Sequence, residues 1–186
     1  MVIKMVDAQM FKSEKWDWET PQDFFDKVNE IFHFDCDAAA TPNNTKVPDN
    51  YITPEMNSLE TPWVGMNWLN PPWGKAYKKA TKLSVWNWMT KALTEYYLGR
   101  SESVCLIPAR PDTRWWHSTV VFAPMVCFVK GRIHFLDETG TPKAGATFPS
   151  ALAVYVKEIT PEMIQGLSRI GWLVQRVKIP LTVNYG

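Results

Sequence analysis

Trp63-Val64-Gly65-Met66-Asn67-Trp68-Leu69-Asn70-Pro71-Pro72-Trp73 is the stretch on which the reading of this chain turns. Residues 64–69 are an apolar run of strand length. The two prolines that follow fix the backbone and remove two amide donors, so a strand cannot continue through them. Asn70 is therefore held at a strand's end, with its side-chain amide and the carbonyls behind it aimed into a crevice, and an aromatic ring follows at once. Carbonyl oxygens accept the hydrogens of an exocyclic amino group, and a ring stacks on the base that carries it. The same four letters also describe a proline-rich turn with a packing Trp, so the rest of the chain has to decide.

Upstream, Thr20-Pro21 predicts a helix start, with Thr20 as N-cap, Pro21 at the first helical position and Asp23 in the first turn. Phe24, Phe25, Val28 and Ile31 share one face of that helix, which should run to about Ile31. Phe32 to Asp37 reads as a short buried strand ending in acid, Ala38 to Asn44 as a loop, and residues 45–62, with Pro48, Pro54 and Pro62, as mostly irregular. Downstream, Lys75 to about Leu98 reads as helix, in one or two pieces. Ser103–Ile107 is a buried strand, and Asp112 is a plausible N-cap for a helix through Trp115 and Trp116. Met125–Val129 and Arg132–Leu136, separated by Lys130-Gly131, predict a hairpin. Ala151–Val156 should be a strand, Pro161–Arg169 a helix and Leu173–Ile179 a last strand. Strands alternating with helices, then an antiparallel finish, predict an α/β fold with a mostly parallel sheet flanked by helices. In such sheets ligands bind beyond the carboxyl ends of the strands, where Asp35, Asp37, Asn70 and Arg110 all fall.

The 186 residues suit a single domain. The chain has no run approaching the roughly 20 apolar residues of a membrane span and no apolar leader core, which reads as a cytoplasmic protein with no membrane partner. Cys36, Cys105 and Cys127 are odd in number, widely spaced and set in apolar stretches, so buried free thiols are expected; His33, His117 and His134 add no ligand spacing, and no metal site is expected. The net charge of +1 hides a segregation. Residues 1–62 carry 5 basic and 12 acidic residues, net −7, whereas residues 63–116 carry 8 and 3, net +5, and residues 117–186 carry 7 and 4, net +3. A polyanion would meet the second and third parts and avoid the first. Of the ten tryptophans most should pack in the core, and a few beside basic residues could stack on bases.

Six short elements then fall in one order. They are Trp18-Glu19-Thr20-Pro21-Gln22, Phe34-Asp35-Cys36-Asp37-Ala38-Ala39-Ala40 with Asn43-Asn44, and Asn70-Pro71-Pro72-Trp73. Pro108-Ala109-Arg110-Pro111-Asp112-Thr113 with Trp115-Trp116, Lys130-Gly131-Arg132 with Phe135, and Pro149-Ser150-Ala151 complete the series. Together they make the chain, from about Trp18 to Val156, resemble the phage-type DNA N-6-adenine methyltransferases of the Dam family. The resemblance implies a Rossmann-like S-adenosylmethionine-dependent methyltransferase fold, S-adenosylmethionine as cofactor, DNA as partner and no obligate protein partner. It implies a catalytic role for Asn70, Pro71, Pro72 and Trp73, where the family more often has Tyr at the last position. It implies cofactor contacts from Thr20, Pro21, Asp35 or Asp37, Ala38 and Ala39, the alanines standing where other methyltransferases carry a glycine-rich loop. Asn57 is a further cofactor contact by the same resemblance; it occupies the place where the family usually has an acid before a small-Leu pair, so it could accept a hydrogen bond but lacks the charge.

Lys75, Lys78, Lys79 and Lys82 are spaced to share one helical face after the Asn-Pro-Pro-Trp loop. With Arg110, Lys130 and Arg132 they are the candidate DNA contacts. Sequence specificity would have to come from short insertions at about 45–62 and 130–148. An amine-accepting site of this kind also suits cytosine N4 or an RNA base, and a nucleic-acid-binding protein that has lost turnover is the alternative from another class.

Overall fold

The computed structural model describes residues 19–73, 84–137, 140–142 and 148–176. Among the described residues the elements are α1 (Gln22–Phe32), β1 (Cys36–Asp37), β2 (Gly65–Leu69), α2 (Val85–Tyr97), β3 (Ser101–Pro108), α3 (Arg114–Ser118), a 3-10 turn (Val120–Phe122), β4 (Met125–Val129), β5 (Ser150–Tyr155), α4 (Pro161–Ile170) and β6 (Gly171–Gln175). The strands form a single sheet in the order β1-β2-β3-β5-β4-β6.

This is a mixed α/β sheet rather than the mostly parallel one expected. The β1–β2 and β2–β3 pairings are parallel, while β3–β5, β5–β4 and β4–β6 are antiparallel. The sheet's centre is β3 and β5, whose side chains are buried on both faces. Along β3, Val104 and Leu106 point into one core and Cys105 and Ile107 into the other, as the two-residue period of a strand requires. α2 and α3 cover the second face through Val85, Trp88, Met89, Ala92 and Trp116. α1 and α4 cover the first through Phe25, Val28, Phe32 and Leu167. The three cysteines are buried free thiols, and burial pushes Cys36 up to about 11 and Cys105 and Cys127 up to about 12. None offers a thiolate at neutral pH.

Several local expectations change. The cap position of α1 is taken by Pro21, not Thr20. Proline's fixed φ suits the non-helical cap as well as the first turn, and its carbonyl accepts the amides of Phe24 and Phe25 at 3.2 and 3.0 Å. α1 ends where His33 turns left-handed at φ 52° and donates its amide to Asn29 O (2.8 Å). The cap of α3 is Thr113 rather than Asp112, and its hydroxyl donates back to Arg110 O at 2.7 Å.

The predicted hairpin is absent. β4 has β5 on one side and β6 on the other, so Arg132–Leu136 has no edge of it left to pair with. After the turn at Gly131 (φ 81°) this segment instead buries Ile133 and Phe135 and bridges Leu136 to Glu19. The first strand is also shorter than expected, because only Cys36 and Asp37 reach ladder geometry against Asn67 and Trp68.

Candidate active site

β1, β2 and β3 run parallel, so their carboxyl ends share one edge of the sheet, with Asp37 opposite Trp68 and Leu69 opposite Cys105. Asn70 is the first residue past that edge. A polar cleft opens there, lined by Glu19, Thr20, Asp37, Ala39, Asn44, Lys46, Trp68, Asn70, Pro71 and Pro72.

The central contact joins two segments fifty residues apart. Asn70 Nδ2 donates to Thr20 Oγ1 at 3.1 Å, and Thr20 is 2% exposed. The hydroxyl that was expected to cap α1 therefore holds the Asn70 amide instead. In this arrangement the nitrogen end of the amide faces the Thr20 hydroxyl. Thr20 is itself held by its neighbour, since Glu19 and Leu136 exchange both backbone hydrogen bonds, at 3.1 and 2.9 Å.

Trp73 closes the loop. Its Nε1 donates to Leu106 O (3.3 Å), its ring meets Phe135 edge-on with centroids 4.9 Å apart, and it packs against both hydrophobic cores. The ring is half-buried, so its position is set by the fold.

Asp37 ends β1, whereas Asp35 precedes it and so lies at the amino end of the parallel strands rather than at the carboxyl end expected. Asp35 sits at the start of β2, where its Oδ2 accepts from Met66 N at 2.8 Å. It is absent from the cleft lining. Gly65, at φ 64°, lies so close that a Cβ there would overlap the Asp35 carboxylate. Asp37 lines the cleft, 4% exposed, with Oδ1 accepting from Ala39 N (3.3 Å) and Oδ2 from Lys46 N (2.9 Å). Burial raises its carboxyl to about 6, and the two amides, with the Lys46 charge, hold it from rising further. Ala39 lines the cleft while Ala38 is buried in the core, its amide donating to Trp68 O (2.9 Å). Asn57 is half-buried on the 53–61 turn at φ 52°, a left-handed conformation that Asn tolerates better than most residues, and does not line the cleft.

An ion pair that the sequence pattern did not single out proves central. Lys46 Nζ pairs with Glu19 Oε1 at 2.7 Å and donates to Gln22 Oε1 at 3.4 Å, with the Lys46 side chain only 5% exposed. The pair ties the loop after β1 to the segment before α1, across the mouth of the cleft. A signal was present in the sequence, since Lys46 is the only Lys or Arg between Lys27 and Lys75, in an otherwise acidic third of the chain.

Of the expected DNA contacts, Arg110 lies past β3 with its guanidinium 3.7 Å from the centroid of the Phe148 ring. Lys130 and Arg132 are exposed beyond β4, on a turn rather than a hairpin. Lys75, Lys78, Lys79 and Lys82 lie outside the described residues.

Comparison with known proteins agrees with this arrangement. The family model described as DNA N-6-adenine-methyltransferase (Dam) matches residues 7–171. The DNA N-6-adenine-methyltransferase of Haemophilus phage HP1 (strain HP1c1) is 30% identical over 156 residues, which span 81% of this chain and 84% of that protein. The match runs from the segment before α1 to the start of β6, and so takes in every strand that builds the cleft: the chain belongs to the DNA N-6-adenine-methyltransferase (Dam) family.

Proposed function

We propose that the cleft binds S-adenosylmethionine and that the chain transfers its methyl group to the N6 amino group of an adenine extruded from DNA. The family and the phage relative support adenine N6 as the acceptor. The observation that carries the reading is the Asn70–Thr20 hydrogen bond, which joins the amine-accepting loop to the segment that resembles the family's cofactor-holding one.

The donor set suits such a cofactor. Lys46 offers a cation for a carboxylate, Glu19 and Asp37 offer acceptors for an ammonium or for ribose hydroxyls, and all three line one cleft. When bound, S-adenosylmethionine supplies a methyl group on a positively charged sulfur. The chain's own work is to make a poor nucleophile usable. The adenine amino lone pair is delocalised into the ring, and accepting both amino hydrogens, at Asn70 Oδ1 and at the Pro71 carbonyl, favours the pyramidal nitrogen that can attack. The same oxygens would stabilise the positive charge that develops on nitrogen as its bond to the methyl carbon forms and the sulfur–carbon bond breaks, leaving a neutral thioether; the nitrogen would then lose one amino proton. Trp73 stacks on the extruded base. With its indole N–H bound to Leu106 O, the ring serves as a surface rather than as a donor.

Recognition of the target sequence falls to the short insertions at about 45–62 and 130–148. Because the relative is a phage protein, the role we assign is marking DNA against host restriction in the bacterial cytoplasm.

Mass spectrometry of nucleosides from a methylation-deficient host expressing the chain, beside Asn70→Ala, tests the reading. N6-methyladenine that vanishes in the variant supports reaction and loop together. N4-methylcytosine in its place would keep the mechanism and overturn the substrate. Unmethylated DNA from a protein that binds both cofactor and DNA would refute the reaction.

A further inference from the structure

An open groove of about 700 Å³ lies on the sheet edge that carries Asn70, on the side away from β1. β4 is parallel to β3 across the intervening β5, so Val129 and Lys130 emerge at the same edge as Pro108. The groove's floor is apolar, made by Val129, Ile133, Leu136 and Ile170. Its rim is cationic, with Lys27 from α1, Lys130 and Arg132 from the turn after β4, and Arg169 from the last turn of α4. Among the described residues Asp23 is the only acid in the lining, and it pairs with Lys27 at 3.1 Å. The two walls are bound together, since Lys130 N donates to Ile170 O at 3.0 Å, which fixes Lys130 beside Arg169. The groove also adjoins the cleft. Pro21 and Gln22 line the groove, and Glu19 and Thr20, their immediate neighbours, line the cleft.

We propose that this groove holds the sugar-phosphate backbone of the DNA strand from which the target base is extruded, with Lys27, Lys130, Arg132 and Arg169 on the phosphates. The inference rests on the reading of DNA as substrate and adds the site and the residues. Charge complementarity argues for this occupant, because a cationic rim over an apolar floor meets both parts of a nucleic-acid strand, its phosphates and its sugars. Continuity with the cleft argues for the same strand. A backbone lying along the groove past Pro21 delivers its next nucleotide to Asn70. The contacts are to the backbone, so they bring affinity and register without sequence preference.

The test is binding of the full chain to a fluorescent duplex as a function of salt, with methylation kinetics on the same duplex. The variants are Lys130→Gln, Arg169→Gln and the pair, against Lys157→Gln as control. Lys157 is an exposed cation just past the far end of β5, at the opposite edge of the sheet. Neutralising one phosphate-binding cation should flatten the slope of log K against log salt by about 0.9, and the double variant should flatten it by about 1.8. KM for DNA should rise while kcat and cofactor affinity hold, and Lys157→Gln should match the parent. Folded variants with unchanged slope and KM would overturn the groove, as would a control whose slope flattens as much as theirs. A wild-type chain that binds DNA with the full slope, binds with a flattened one in these variants and leaves adenine unmethylated would support the groove while refuting the reaction.

Discussion

Thr20→Val separates positioning from folding at the centre of the cleft. The substitution keeps the size and branching of the side chain and removes one oxygen, the acceptor of the Asn70 amide at 3.1 Å. With Thr20 only 2% exposed, water cannot readily replace it. A buried donor left without its acceptor costs about 1–3 kcal/mol. The Asn70 amide would escape that cost by rotating away, giving up the acceptor geometry that the proposed reaction needs. A loss of about 1.4–2.7 kcal/mol in the transition state is about 10- to 100-fold in rate. The expectation is a kcat reduced by that factor, a nearly unchanged KM for DNA, and a melting point lower by a few degrees, since about 1 kcal/mol shifts a domain of this size by about 2–4 °C. Steady-state methyl transfer to a duplex, with circular dichroism melts alongside, measures both quantities. Thr20→Ser keeps the hydroxyl and should stay within about threefold of the parent, a residual of less than about 1 kcal/mol. A Thr20→Val protein with a lowered melting point and parental kcat would refute the reasoning, because the hydroxyl would then be a stabilising group with no part in orienting Asn70.

Three other perturbations test the surroundings of that contact. The Asp37 carboxyl, raised to about 6 from its ordinary 3.8, takes its proton in the folded state first. Folding stability from this group is therefore gained, not lost, as pH falls through 6, while cofactor affinity falls because the protonated acid gives up an acceptor for the loop amides; titration calorimetry from about pH 5 to 8 should show the affinity loss, and Asp37→Asn should flatten it. Lys46→Met leaves Glu19 without its partner, and because Glu19 is still 24% exposed the destabilisation should be about 1–3 kcal/mol, below the range for a fully buried pair broken on one side. Urea unfolding reads that loss, and cofactor KM should rise about tenfold, equivalent to about 1.4 kcal/mol. Gly65→Ala combines a left-handed φ of 64° with overlap on the Asp35 carboxylate, and should cost about 1–3 kcal/mol in the same unfolding experiment, with an unchanged result excluding the strain.

Elements that depend on local pattern were legible in the chain. β2 is bounded by its apolar run and the prolines, and the helix read over Pro161–Arg169 is α4, which Thr160 caps by accepting the Met163 amide at 3.3 Å. Elements decided by competition at a distance were not. Met125–Val129 and Arg132–Leu136 have the local signature of a hairpin, and nothing near Gly131 reveals that β5 and β6 will occupy both edges of β4. The site divides in the same way. Asn70, Thr20 and Asp37 stand out because strand ends and helix starts leave marks in sequence, and all three line the candidate cleft. The bond between Asn70 and Thr20, like the Lys46–Glu19 pair formed across 27 positions, exists only once the sheet has assembled. From local sequence Thr20 reads as a helix cap, and by resemblance as a cofactor contact, because both uses of a hydroxyl begin from the same residue type.

If the proposed reaction holds, the orientation of the Asn70 amide would also act as a filter on base chemistry. With its nitrogen facing the Thr20 hydroxyl, the amide would present its oxygen to an entering base. Adenine and cytosine bring an amino group to that place, and donor meets acceptor. Guanine O6 and thymine O4 would set lone pairs against lone pairs, a repulsion that rejects those edges without any steric barrier. In the proposed reaction, discrimination among the four bases would thus begin with the polarity of a single amide, bonded to a hydroxyl fifty residues earlier in the chain.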